Sequence, residues 1–234
     1  MNIGTVVEGP TDREVLNAII NRLIPGEHRY FPLQPTDTSD YIGKGWKGVR
    51  RWCRETHQRE NSSLEIILSG KTGPELDLLV IQVDADISDE SDLQEGNEIF
   101  IPDVRQPCPP VKSTVIQLES VIKAWLRSDE LPAKIILAIP AQDTEHWIFA
   151  ALFPEDELCL REDYECFKPN KDMPAYRLSL KDYGKLTERK DGEIKKHLRR
   201  YREVVIKIAD NWDTVCRICS QAQRLVQNIA YRLL

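Results

Sequence analysis

The chain has 234 residues, of which 41% are hydrophobic and 30% charged, and a formal net charge of −6. That length suits one sizeable core, or a core with a small second domain, and the composition excludes disordered, repetitive and fibrous classes. The negative total speaks against a dedicated nucleic-acid coat protein, no apolar run approaches the ~20 residues of a membrane span, and MNIGTVVEGP lacks a secretory leader pattern, so no membrane association and a cytoplasmic location are expected.

Residues 3–7, IGTVV, read as a short buried strand. Thr11 and Glu14 match a capping box that opens a helix, and Val15, Leu16, Ile19, Ile20 and Leu23 follow with helical period until Pro25-Gly26. Residues 28–34 read as a weaker second strand, 36–45 as a loop, and Trp46, Val49, Trp52 and Cys53 as one helix face. Residues 76–83, LDLLVIQV, form an unbroken apolar run of the kind found in central parallel strands. A long acidic, then proline-rich, loop follows Asp84. Val115 to Leu126 predict another helix, 134–140 another buried strand, and Trp147 to Leu152 the helix after it. Strand and helix thus alternate four times, which predicts an α/β fold: a mainly parallel four-stranded sheet between helices.

The pattern changes near residue 155. Residues 155–192 are irregular and charged, whereas 193–208 and 210–233 read as two long helices, so residues 154–234 are expected to be a mainly helical extension. Six cysteines stand at 53, 108, 159, 166, 216 and 219. The C-x-x-C pair Cys216/Cys219 has no second pair to complete a zinc site and reads as two small core residues rather than a redox or metal pair. The four histidines show no ligand spacing.

Carboxylates mark the strand ends. Glu8 follows the first strand, Asp84 and Asp86 follow the third, and Asp12 opens the first helix. In an open α/β sheet, ligands bind outside the carboxyl ends of the strands. If the strands are parallel neighbours, Glu8, Asp84 and Asp86 converge. Crowded acids either take up protons or share a cation, and all-oxygen donors favour Mg²⁺ or Mn²⁺. Such a cluster can hold two ions about 4 Å apart, the usual clamp for phosphodiester chemistry.

The pairing of "VVEGPTD" with "LLVIQVDADI" resembles the Toprim domain, whose signature is a glutamate after the first strand and D-x-D after a later one. The E-G-x-[ST]-D form looks most like stand-alone Toprim proteins and the nucleases of the overcoming-lysogenization-defect (OLD) family. The resemblance covers residues 1–153 and implies a Toprim-like, Rossmann-like catalytic domain there. It further implies a Mg²⁺- or Mn²⁺-dependent nuclease acting on DNA or RNA, with DNA favoured, in a setting such as phage defence. Glu8, Asp84 and Asp86 would be catalytic and metal-holding, and Asp12 would help bind a second ion. Glu145, in "DTEHWIF", reads either as a further ligand or as ordinary charge at a helix start capped by Asp143 or Thr144. A lysine stabilises the transition-state phosphate in the related nucleases; Lys185, Lys181 and Lys171 are the candidates here, and the sequence does not choose among them. The chain carries no ATPase region beside the Toprim-like one, so a separately encoded partner ATPase is one expectation and a homodimer another.

Two basic stretches complete the reading. GKGWKGVRRWCR carries Lys44, Lys47, Arg50, Arg51 and Arg54 with no acid, interleaved with tryptophans. It reads either as a phosphate-binding helix or as an amphipathic helix with core tryptophans and a wet basic face. Residues 181–202 carry nine bases against four acids; Lys195, Lys196, Arg199 and Arg200 are its candidate nucleic-acid contacts. Asp89, Glu90, Asp92, Glu95 and Glu98 read as a solvated face rather than ligands. Two other functions stay open: a non-catalytic module that binds nucleic acid or a partner, and a D-x-D phosphohydrolase acting on small nucleotides.

Overall fold

The computed structural model describes residues 1–36, 45–58, 63–71, 73–166, 173–190 and 193–233. Lys44 and Lys171 lie outside the described residues. The apolar runs form strands β1 (Asn2–Val6), β2 (Arg29–Gln34), β3 (Leu78–Gln82) and β4 (Ile135–Ala138). They pair in the order β2-β1-β3-β4, and every pairing is parallel. The two central strands are covered on both faces, which is why they read as continuous apolar runs rather than alternating ones.

Period-two alternation sends neighbouring residues into different cores. Leu78, Val80, Ile136 and Ala138 meet one helical layer, whereas Leu79, Ile81 and Ile135 meet the other. The second layer holds α2 (Gly45–Gln58), α3 (Leu64–Leu68) and α4 (Lys112–Trp125). The first holds α1 (Pro10–Leu23) and α5 (Thr144–Leu152), together with α7 (Leu198–Asp210), α8 (Trp212–Ile218) and α9 (Ser220–Leu233). A short α6 (Pro174–Arg177) lies between the two halves of the chain. The C-terminal helices share one core with the sheet: Tyr201, Ile208, Trp212 and Leu225 are buried in the same cluster as Ile3, Val15 and Leu16.

Three local expectations are corrected. Thr11 does not cap α1: Gly9 is the N-cap, no side chain caps the helix, and Pro10 opens it. Proline suits that first position because its missing N–H would be unpaired there anyway. Residues 193–196 are not helical. They form strand β6 (Glu193–Lys196), antiparallel to β5 (Thr187–Lys190), and α7 begins only at Leu198. The second long helix is likewise broken, because Cys219 adopts an extended conformation between α8 and α9.

Cys108 and Cys166 form a disulfide that their spacing of 58 positions did not announce. Cys219 is buried and Cys216 half-buried, both as free thiols, in keeping with their reading as packing residues. Among the described residues no helix is long and apolar enough to cross a membrane.

Candidate metal and phosphodiester site

The register of β1 against β3 fixes the first two acids. Val6 lies beside Ile81, so the chain carries Glu8 and Asp84 off the sheet together. The Asp84 N–H donates to Glu8 Oε1 at 2.7 Å. Gln82 clamps the pair from below: its Oε1 accepts the Glu8 N–H at 3.1 Å, and its Nε2 donates to Asp84 Oδ1 at 2.8 Å. Thr144 adds its N–H and its hydroxyl to the same Oδ1, each at 3.2 Å. Glu8 Oε2 and Asp84 Oδ2 are the oxygens that these bonds do not use.

The D-x-D segment is held against the exit of β4 by bonds from Ala85 N–H to Pro140 O (2.9 Å) and from Asp86 N–H to Gln142 O (3.0 Å). Asp86 is thereby presented at the exposed rim. Asp12 lies in the first turn of α1 and is 2% exposed. A Cβ on Gly9 would approach Asp12 Oδ2 to 3.0 Å, so the glycine of E-G makes room for the neighbouring carboxylate. On the other side Gly45, at φ +65°, donates its N–H to Glu8 O at 3.0 Å. That backbone conformation favours glycine at the start of α2.

Glu145 is 1% exposed in the first turn of α5, a helix capped by the Asp143 side chain accepting from His146 N–H. Its Oε1 accepts from the Tyr201 hydroxyl at 2.7 Å and from Lys196 Nζ at 2.9 Å. The same ammonium donates to Asp12 Oδ1 at 3.0 Å. The β5–β6 hairpin delivers it: Lys196 faces Thr187 across the ladder and Lys195 faces Glu188, so successive side chains point to opposite faces. Lys196 turns inward while Lys195 remains exposed.

The charges in this cleft are unbalanced. Burial pushes the Glu8 carboxyl up to about 8; the Asp84 N–H and Lys196 oppose that rise, and Asp12 and Asp86 add to it. Burial, followed by the carboxylates of Glu8 and Asp12, holds Asp84 well above its ordinary value. Asp86, though its side chain reaches the rim, is pushed up to about 7 by the partial loss of hydration beside the cluster and then by Asp143 and Glu145, against the opposing charge of Lys196. Burial also lifts Glu145 to about 7 despite Lys196 and the Tyr201 hydroxyl. Burial works against the Lys196 charge, but Asp12, Glu145 and Asp84 outweigh it and hold its pKa well above the ordinary lysine value. One ammonium therefore stands against five carboxyl groups and does not neutralise them.

The donor chemistry of Glu8, Asp84 and Asp86 fits a hard divalent cation: all are oxygens, and charge is in excess. The side chains do not form a closed ligand shell as they stand. Among the described residues, no three His, Cys, Asp or Glu side chains are grouped so as to hold a metal ion.

The remaining candidates are dispersed. Lys185 and Lys181 are exposed, Lys185 in a turn at φ 51° where its carbonyl accepts from Arg200, and among the described residues neither pairs with the acids of the centre. On α2 the tryptophans belong to the core: Trp46 stacks on Trp125 at 6.4 Å, and both Trp46 and Trp52 are 8% exposed. The bases of α2 face the acidic loop. Lys47 pairs with Asp92 at 2.7 Å, Arg50 with Asp92 and Glu95, and Arg54 donates to Glu95 O and Asn97 Oδ1. Arg51 is exposed. Arg199 pairs with Glu203 at 3.3 Å.

Gln82, Tyr201 and the inward role of Lys196 were not singled out in the sequence, and Thr144 reads there only as a candidate helix cap. Gln82 alone left a signal, as a polar residue following the apolar stretch Leu78–Ile81. No protein-family model, curated protein or solved structure matches this chain.

Proposed function

We propose that the protein is a metal-dependent nuclease of Toprim type that hydrolyses phosphodiesters at the carboxyl edge of its sheet. The observation that carries this reading is the direct bond between the two motifs, from Asp84 N–H to Glu8 Oε1 at 2.7 Å. It joins the E-G and D-x-D carboxylates into one acidic centre at the edge where open α/β sheets bind ligands.

Glu8, Asp84 and Asp86 would hold Mg²⁺ or Mn²⁺. When bound, the ion supplies Lewis-acid stabilisation of charge at the scissile phosphate. Gln82 and Thr144 fix Asp84 Oδ1, which leaves Oδ2 as its outward donor. Without the ion Glu8 is raised to about 8, and Oε2, the oxygen not engaged by the Asp84 N–H, is the atom open to a proton; with the ion bound the same oxygen would be its donor instead. Glu8 thus serves the reacting phosphate either as an ion ligand or as an acid–base group, one role excluding the other at a given moment. The nucleic-acid strand would be held by the exposed bases of the hairpin and α7, Lys195 and Arg199 among them. Lys47, Arg50 and Arg54, already engaged by the acidic loop, contribute less.

A second reading, a non-catalytic module that binds nucleic acid or a partner, is favoured by the absence of a metal-ready group of three side chains among the described residues. One assay separates the two. Labelled single- and double-stranded DNA and RNA are incubated with wild type, Glu8→Gln and Asp84→Asn in EDTA, Mg²⁺ or Mn²⁺. Cleavage that needs the ion and falls by about 10²-fold or more in both variants supports the nuclease. Binding without cleavage on every substrate, or cleavage indifferent to both substitutions, removes it.

A further inference from the structure

We infer that Lys196 is the resident cation of the Asp12–Glu145 half of the acidic centre, and that this half takes no metal ion while Lys196 is in place. For the function proposed above, on which the setting of this inference rests, the consequence is a centre holding one divalent ion rather than two.

Geometry carries the argument. Lys196 Nζ lies 3.0 Å from Asp12 Oδ1 and 2.9 Å from Glu145 Oε1, a bridge between two buried carboxylates. Tyr201 donates to the same Glu145 oxygen at 2.7 Å, so that oxygen already accepts two bonds. A hard ion needs oxygens at about 2.0–2.6 Å, which would bring it against the ammonium that already holds them. Two cations so close, between carboxylates this deeply buried, repel strongly.

The ammonium is also built to stay. Lys196 ends a paired strand, opposite the buried Thr187, and the chain then enters α7, which packs on α1. Thr187 is itself tied down by its hydroxyl, which donates to Ala175 O at 2.8 Å. Moving Lys196 outward would leave the buried Asp12 and Glu145 without a countercharge, Glu145 keeping only the Tyr201 hydroxyl, an arrangement that folded proteins avoid. Glu14 and Arg202, paired at 2.7 Å, pin α1 to α7 at a second point. The other half of the centre differs: Glu8 Oε2, Asp84 Oδ2 and the rim carboxylate of Asp86 bond to no lysine or arginine among the described contacts.

The test counts bound Mn²⁺ on the full chain, by the loss of the free-ion electron paramagnetic resonance signal at saturating concentration. The expected result is one ion on wild type and two on Lys196→Met, in which the Asp12–Glu145 pair is released to act as a ligand set. Two ions on wild type overturn the inference, as does a single ion on both wild type and a folded Lys196→Met. If Lys196→Met does not fold, Asp12→Asn takes its place: the count stays at one, because Asp12 serves the lysine, and a drop to none overturns the inference. No ion on wild type with one on Lys196→Met upholds the inference and removes the metal-holding reading of Glu8, Asp84 and Asp86. No ion on either protein overturns both.

Discussion

At the residue scale the centre is a problem in charge compensation. Gln82 shows how much of it is solved by neutral groups: one amide accepts from the Glu8 backbone and donates to Asp84, so a single buried side chain sets the relation between the two motifs. A hydrophobic residue there would leave a buried N–H without its acceptor, a loss of about 1–3 kcal/mol. The acids themselves predict a pH dependence. Glu8, Asp86 and Glu145 are raised from 4.5, 3.8 and 4.5 to about 8, 7 and 7. A carboxyl raised in the folded state favours folding below its unfolded pKa and loses that contribution as pH rises through the folded value. Lys196 stays charged throughout this range. The melting temperature in EDTA is therefore expected to fall between about pH 4 and pH 8, and to fall less in Glu8→Gln. A flat or rising profile over that window, read by circular dichroism, contradicts the charge imbalance described here.

At the scale of elements, strands β1, β3 and β4 and helices α4 and α5 were legible because their apolar periodicity is decided locally by burial. The hairpin was not. Residues 193–196, Glu-Ile-Lys-Lys, consist largely of good helix formers, and only pairing with residues 187–190 makes them a strand. That difference in period redirects the chemistry. On a helix Lys195 and Lys196 would lie 100° apart on one wet side; on a strand one enters the cleft and the other faces solvent. Lys195→Ala is accordingly expected to reduce the slope of log affinity against log salt by about 1 in nucleic-acid binding, with no change in melting temperature. An unchanged slope would remove Lys195 from the interface. The acids of the centre were legible for the opposite reason: each sits at the end of its own strand or helix, where sequence and place coincide. Their countercharge was not, because no local pattern links residue 196 to residue 12.

At the scale of the whole molecule, the boundary expected near residue 153 does not divide the core. Val15, Leu16, Ile19 and Ile20 of α1 are covered by a layer that includes Tyr201, Ile208 and Trp212. Exposing an aliphatic side chain of that size forfeits about 1.5–3 kcal/mol, so losing cover over four of them rivals the 5–15 kcal/mol of a whole domain. A chain ending at residue 153 is expected to lack a cooperative thermal transition and to bind a hydrophobic dye. A sharp transition from that fragment would show the first segment to be autonomous.

The bridge from Lys196 to Asp12 spans 184 positions of chain. During synthesis the four strands and every acid of the cleft leave the ribosome before the residue that compensates them. The nascent sheet thus carries its carboxylates without their ammonium until about fifty further residues have followed Glu145. Completion of the centre is a late event tied to the arrival of the hairpin, so a ribosome that stalls before it releases a chain with the acids but without the assembled cleft.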